Sequence, residues 1–342
     1  MPATHARRRR ARVRVVTYNI LVGGTGRHRL IRDVLARTGA DVIALQEVCD
    51  LDFLEELGRH LGMTVLAGEP SEPSPSCHVA ILSRLPVGAW RNRQHRGRML
   101  RSHLHCEVET GGTAVPLLGI HNVHLAARFG ERAKGEARRM RELSAVLDGV
   151  SREPVLPHVL LGDFNALSPG DTVAATRFFR RMSELRRAGL LVTQQDGYVG
   201  PLQVERESGS GADALAAAWQ EAGIDPRLAP GIPILPRVVW PLTAGLPVSG
   251  GLDRFLGRFI ERWTIERVLR VGYVDCFRRV HPRALGRTSA TWLPAARVDY
   301  VFATPDLADC LAGCDVIGGR RWPDADVTTA SDHFPVIADF NL

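Results

Sequence analysis

The sequence predicts a layered α/β protein, and three observations carry the prediction. Short, nearly continuous apolar runs mark strands covered on both faces. Between them, apolar residues recur at helical spacing. A proline-crowded middle then interrupts the alternation, which resumes before the C-terminus.

Val13–Ile20 and Asp41–Val48 read as the first two strands. They are joined by a helix whose Leu30, Ile31, Val34 and Leu35 share one face. Gly39 suits the cap of that helix, because glycine enters the left-handed region without strain. Val115–Leu125 and His158–Phe164 are the next buried runs, separated by an Arg-rich helix over Glu131–Leu147. Phe178–Leu190 reads as a third helix. From about Gln194 to Pro247 prolines crowd in (Pro201, Pro226, Pro230, Pro233, Pro236, Pro241, Pro247), and only Ala212–Ala222 keeps a helical pattern. Leu252, Phe255, Leu256, Phe259, Ile260 and Trp263 then predict one amphipathic helix with Arg254, Arg258 and Arg262 on its polar side. It is expected to pack back on the domain, with a lid, a partner groove or contact with a membrane surface as the lesser alternatives. Val298–Ala303 and Phe334–Phe340 return to strand. The organisation that follows is a basic tail over 1–11 and one domain over 12–342, interrupted by an insertion at about 194–265.

Composition sets the outer limits. The chain has 342 residues, 45% apolar and 24% charged, which excludes disorder as the dominant state. No stretch approaches the length of a membrane-spanning helix. The net charge of +7 suggests a polyanionic partner. Arg7, Arg8, Arg9, Arg10, Arg12 and Arg14 hold six of those charges, so the body of the chain is almost neutral and its basic character is local. Arg84–Arg101 contains six arginines and no acid, and Arg128–Arg141 is also rich in base. Cys49, Cys77, Cys106, Cys276, Cys310 and Cys314 form no C-x-x-C and are expected to be small buried residues rather than a disulfide framework. The N-terminal arginines run into a strand rather than an apolar leader segment, so a cytoplasmic enzyme is expected.

Polar residues interrupt the apolar strands at their ends, and this is where chemistry enters. Asn19 follows Thr17-Tyr18, Glu47 follows Leu45-Gln46, and His121, Asn122 and His124 follow Gly119-Ile120. Asp163 and Asn165 follow Leu161-Gly162, Asp299 follows Val298, and Asp332 and His333 follow Ser331. Ionisable groups at the ends of buried strands are costly unless paired, hydrogen-bonded or bound to metal. The mix is rich in hard oxygen donors and lacks thiolates, which suits a divalent cation such as magnesium on Glu47, with Asn19 and Asp332 nearby. Histidine beside carboxylates adds proton transfer or anion stabilisation near neutral pH. Hydrolysis of a phosphate ester uses such a set.

Six segments together make a family resemblance. Thr17-Tyr18-Asn19, Leu45-Gln46-Glu47-Val48, Asn122-Val123-His124-Leu125, Gly162-Asp163-Phe164-Asn165-Ala166, Arg297-Val298-Asp299-Tyr300 and Ser331-Asp332-His333-Phe334-Pro335 resemble, in order and spread, the endonuclease/exonuclease/phosphatase superfamily. The resemblance covers roughly 12–192 and 266–342. It implies a four-layer α/β sandwich, two facing mixed sheets flanked by helices, with a divalent-metal site at one edge.

It also implies roles. Glu47 would be the main metal ligand, with Asn19 beside it and Asp332 completing the metal side. Asp163 would orient or deprotonate the attacking water, and Asn165 would hold a phosphate oxygen. His124 would sit near the leaving group, and His333, oriented by Asp299, would contact the phosphate. Asn122, Arg84 and Arg128 complete the expected substrate contacts, while His121 is expected to be structural. Two departures narrow the reading. The position that is acidic in DNA-repair members, two after the Asn, is Leu21 here, and His78 stands where a glycine is usual before Val79-Ala80-Ile81-Leu82-Ser83-Arg84.

The function expected is a Mg²⁺-dependent phosphoesterase, with Mn²⁺ as substitute, cleaving a phosphodiester by in-line attack of water. A nuclease acting on DNA or RNA leads. The alternatives are a phosphatase or phosphodiesterase of a small metabolite or nucleotide, and cleavage of a phospholipid or sphingolipid headgroup. A non-catalytic binding module is disfavoured because Glu47, Asp163, Asn165 and His333 are all present.

Overall fold

The computed structural model describes residues 11–72, 77–127, 131, 133–203, 210–242, 245–319 and 322–342. Arg128 and all but the last residue of the basic tail therefore lie outside the described residues.

Two mixed six-stranded sheets face each other. The first runs Leu311–Val316, Val336–Asn341, Arg12–Asn19, Val42–Val48, His78–Ser83, Thr64–Gly68 from edge to edge. The second runs Val274–Asp275, Asp299–Ala303, His158–Asp163, Leu117–His124, His103–Glu109, Val87–Arg93. The most continuous apolar runs occupy the central positions, where both faces are covered. One continuous core fills the space between the sheets, joining Val15, Ala44, Leu104, Ile120, Leu161 and Val301. Helices His28–Thr38 and Leu51–Leu61 flank the first sheet, the former ended by Gly39 at φ 58°. Ala133–Val150 and Trp263–Arg270 cover the second, contributing Leu143, Val146, Ile265 and Val268 to an outer core with Leu160, Tyr300 and Phe302.

The strand period of two decides what reaches the interface between the sheets. Leu118, Ile120, Asn122 and His124 share one face of their strand, as do Val159, Leu161 and Asp163 on the next. Each face is apolar until its last residues, which are polar. Midway, Gln46 Nε2 donates to Asn122 Oδ1 (2.7 Å), and Asn122 Nδ2 donates to the carbonyls of Leu45 and Ala80 (2.9 and 2.8 Å). This buried amide pair clamps one sheet to the other.

The proline-rich middle forms a lobe with its own small core. Leu191–Thr193, Tyr198–Pro201 and Leu235–Pro236 make a three-stranded sheet. Trp219, Leu228, Ile232 and Trp240 pack there with Met182 and Leu185 of helix Ala175–Arg187.

Two expectations are corrected. The amphipathic pattern over 252–263 is not one helix: helix Gly250–Leu256 passes into a 3-10 turn at Gly257–Phe259, Ile260 is extended, and a new helix starts at Trp263. It packs back only in part: Leu252, Leu256 and Ile260 are half-buried and Asp253 Oδ1 accepts from the N–H and Oγ1 of Thr176 (2.7 and 2.8 Å), while Phe255, Phe259 and Trp263 are 52%, 57% and 46% exposed. Second, Cys49 and Cys77 form a disulfide rather than being small buried thiols; Cys106, Cys276 and Cys314 are buried and free, and Cys310 is free and half-buried. The antiparallel pairing of Val48 with His78 brings the two cysteines together. Among the described residues no helix is long and apolar enough to cross a membrane.

Candidate active site

The polar strand ends converge at one edge of the sandwich. Asp163 is the hub. Its Oδ2 accepts from Asn19 Nδ2 (3.0 Å) and Asn165 Nδ2 (3.1 Å) and lies 3.4 Å from His124 Nε2 and 3.9 Å from His333 Nε2. Its Oδ1 accepts the backbone N–H of Asn165 (2.8 Å). His333 Nδ1 bonds Asp299 Oδ2 at 2.8 Å, and Asp332 Oδ2 lies 3.9 Å from the other ring nitrogen. Asn19 Nδ2 also reaches Glu47 Oε1 (3.2 Å), while its Oδ1 accepts from the Leu21 N–H (3.0 Å). Asn19 thus ties two carboxylates together.

Two of these residues hold strained backbone. Along an ideal strand Glu47 would share the outward face of Ile43 and Leu45. Instead φ is 58° at Glu47, and the pairing with the neighbouring strand slips between Leu45 and Val48. Together these bring the carboxylate round to Asn19, with Oε2 accepting the Val22 N–H (2.9 Å). Asn165 has φ 47°. Non-glycine residues in this region persist only where the surroundings over-determine them. Gly162 is needed for a different reason: a Cβ there would lie 1.9 Å from the Val123 carbonyl oxygen of the next strand.

The electrostatics follow from burial. Burial, with the Asp299 charge behind it, raises the Asp163 carboxyl to about 7, against the pull of His333 and the amide donors. Burial raises Asp332 to about 6. His333 goes the other way: burial opposes its charge, yet Asp299, Asp332 and Asp163 outweigh it and hold the imidazolium well above the usual histidine range. Burial, followed by the charges of Arg101 and His333, keeps His124 neutral.

These residues suit a divalent cation. Asp299 Oδ1 is buried with no hydrogen-bond partner, and Asp163 and Asp332 resist ionising, so negative charge exceeds what His333 balances. The donors are hard oxygens. Ligand atoms of Asp163, Asp299 and His333 all lie within 4.8 Å of one another. In that trio the His333–Asp299 hydrogen bond makes the imidazole a charged partner rather than a free ligand. Glu47 Oε1, 3.2 Å from Asn19 Nδ2, and Asp332 Oδ2, 3.9 Å from His333 Nε2, are further carboxylate oxygens that could hold an ion.

Three expected substrate contacts are not brought together with this site. Asn122 is wholly buried and spends its amide on the clamp between the sheets. Arg84 sits at the opposite end of strand Val42–Val48 from Glu47, donating from its N–H to Asp41 O and from Nη1 to Leu61 O. Arg128 is outside the described residues. His121 faces outward into a histidine cluster, 2.9 Å from His103 Nε2 and stacked on His105.

Much of the basic stretch Arg84–Arg101 is also engaged. Arg91 and Arg93 pair with Glu153, and Arg98 with Asp148. Arg101 is the member that sequence reasoning did not single out: it reaches the Leu125 carbonyl (3.5 Å), which Asn165 also contacts, and its charge is felt at His124.

Comparison with known proteins agrees with this geometry. The model of the endonuclease/exonuclease/phosphatase family matches residues 16–333. The chain belongs to that family. Similar solved folds include a 3′ phosphatase from Neisseria bound to a product DNA hairpin (TM-score 0.55, 18% identity, 96% of this chain and 100% of that one). An AP endonuclease from Archaeoglobus fulgidus (0.55, 15%, 96% and 100%) and a family member from Beutenbergia cavernae (0.56, 18%, 97% and 72%) are also similar. No curated protein matches in sequence. The family confers hydrolysis of phosphate esters on the chain, and at these identities the solved structures speak for the fold.

Proposed function

We propose that this family member is a divalent-metal-dependent phosphodiesterase, with nucleic acid as its first substrate class. The observation that carries the reading is Asp163 Oδ2, around which Asn19, Asn165, His124 and His333 gather within 3.9 Å. A carboxyl raised to about 7 is poised to accept a proton from water at neutral pH. The water so activated attacks phosphorus in line with the departing ester oxygen. His333, kept charged by Asp299, stabilises the phosphoryl oxygens, and Asn165 donates to one of them. Neutral His124 stands beside Asn165, on the side assigned to the leaving oxygen. A bound divalent cation, most naturally Mg²⁺ on Glu47 and Asp332, would draw charge from the phosphoryl group.

Nucleic acid is favoured because similar folds include a DNA-bound 3′ phosphatase and an AP endonuclease, and because Arg101 stands beside the site. Leu21, where DNA-repair members carry an acid, weighs against abasic-site cleavage. A second reading, a phospholipid headgroup, is favoured by exposed Phe255, Phe259 and Trp263 interleaved with Arg254 and Arg258. The test is a panel of plasmid DNA, single-stranded DNA, RNA, nucleotides and sphingomyelin vesicles with Mg²⁺ or Mn²⁺ and an EDTA control. Glu47→Gln and Asp163→Asn should each abolish turnover while melting like wild type. Full activity in either variant sinks the mechanism. Intact DNA and RNA beside a cleaved small ester or lipid sink the nuclease reading.

A further inference from the structure

The inserted lobe touches the site through a short segment, Pro226–Gly231, a 3-10 turn capped by Asp225. Gly231 lies against Asp332. A Cβ on Gly231 would fall 2.2 Å from Asp332 Oδ2, 2.6 Å from its Cγ and 3.0 Å from its Cβ. The φ of Gly231 lies outside the left-handed region, so backbone freedom does not explain the glycine; space against the carboxylate does. The same turn is anchored to the neighbouring loop, for Arg227 Nη1 donates to the Gly26 carbonyl (2.8 Å). Leu21 leaves the loop after Asn19 at φ 51° and buries its side chain in the lobe's core with Leu228 and Trp219. Arg27 closes the ring from beneath, donating to the carbonyls of Leu21 and Ala330. Trp292 packs on the lobe, and the N–H of Thr291 holds the Asp332 carbonyl (2.8 Å).

We infer that this turn is a wall of the catalytic site and that Gly231 is a positioning residue for Asp332. Packed face to face with the carboxylate, the bare Cα of Gly231 leaves Oδ2 its place 3.9 Å from His333 Nε2, inside the cluster of site oxygens. The inference rests on the metal-dependent reading above. It also explains what the insertion does for the site. The lobe supplies one of its sides and takes Leu21, at the position acidic in DNA-repair members, into its own core.

The test is Gly231→Ala in the full chain, read by Mn²⁺ affinity in calorimetry, by kcat and KM on bis(p-nitrophenyl) phosphate, and by Tm. The methyl must push the carboxylate aside, so Mn²⁺ affinity falls about tenfold or more. The activity loss falls on kcat with KM little changed. In an Asp332→Ala background, Gly231→Ala then changes Mn²⁺ affinity no further. If Gly231→Ala alone fails to fold, the double variant, in which the space is vacated, folds and supports the inference. Wild-type affinity in Gly231→Ala overturns it, and so does an undiminished loss in the Asp332→Ala background. A wild-type protein that binds Mn²⁺ but cleaves no phosphodiester defeats the functional reading, while the affinity comparison still judges Gly231.

Discussion

Asp299→Asn isolates one charge in the site at almost no cost in shape. Asp299 Oδ2 lies 2.8 Å from His333 Nδ1, and both side chains are buried. With the charge centres about 4 Å apart and an effective dielectric near 20, the attraction is about 4 kcal/mol. Asparagine can keep the contact to the ring and loses that attraction. If His333 acts as an imidazolium only in stabilising the transition state, kcat falls about a thousandfold. The pH profile discriminates further. In the wild type the three surrounding carboxylates keep His333 charged well above the usual histidine range, so the alkaline limb of kcat lies far above neutrality. In Asp299→Asn the ring loses its proton at lower pH, and that limb moves toward acid. The assay is kcat against pH with saturating Mg²⁺, with Tm as the check on folding. An alkaline limb that stays in place in a well-folded variant refutes the imidazolium role, whatever the fall in rate.

Other consequences are equally direct. Asn122→Ala removes the Gln46 bond between the sheets and the side-chain donor to the carbonyls of Leu45 and Ala80, so urea unfolding should show a loss of about 3 kcal/mol with kcat/KM per folded molecule unchanged; a catalytic defect without a stability loss would return Asn122 to the substrate. Burial holds His105 at about 4, below its unfolded value, so the unfolded chain takes up the proton first. Stability from this residue is intact above pH 6.5 and erodes as pH falls toward 4, by about 2 kcal/mol between pH 8 and pH 5. Because Asp163 and Asp332 titrate with the opposite sign, the measurement is the difference in pH slope between wild type and His105→Gln, and equal slopes count against the cluster. Finally, four thiols should react in denaturant without reductant and six after reduction; six at the outset would mean that Cys49 and Cys77 are not bonded.

What the sequence displayed depended on how far each feature is a matter of burial. Val13–Ile20 or His158–Phe164 are legible because a strand covered on both faces has to be apolar throughout. Val87–Arg93 escaped notice because it is a largely exposed edge strand. His103–Glu109 escaped because its outward face is made of histidines, which are buried by His121, His95, Glu153 and the helix that carries Gly149. The pattern over 252–263 has helical spacing but contains Gly257, and because no residue of its first helix is buried, packing does not hold one continuous helix together. The disulfide was illegible for a topological reason: Cys49 and Cys77 are 28 residues apart and meet only because their strands pair.

The site divides along the same line. Strand-end carboxylates, amides and histidines stand out in sequence because a polar residue closing an apolar run needs an explanation. Conformation leaves no such mark. Nothing in Leu45-Gln46-Glu47-Val48 says that φ turns positive at Glu47 and carries it off the outer face, although the site depends on that turn. Leu21 marks the boundary between the two kinds of information. Its identity is visible as a departure from the pattern of DNA-repair members, but its cause is not, because the apolar core that claims it is built by residues about 200 positions later. A leucine beside a charged site is unfavourable in isolation and favourable once Leu228 and Trp219 cover it. The same lobe brings Gly231 against Asp332. Leu21 and the lobe are therefore one packing unit, and an acid at position 21 would bury an unpaired carboxylate among tryptophans rather than supply a ligand.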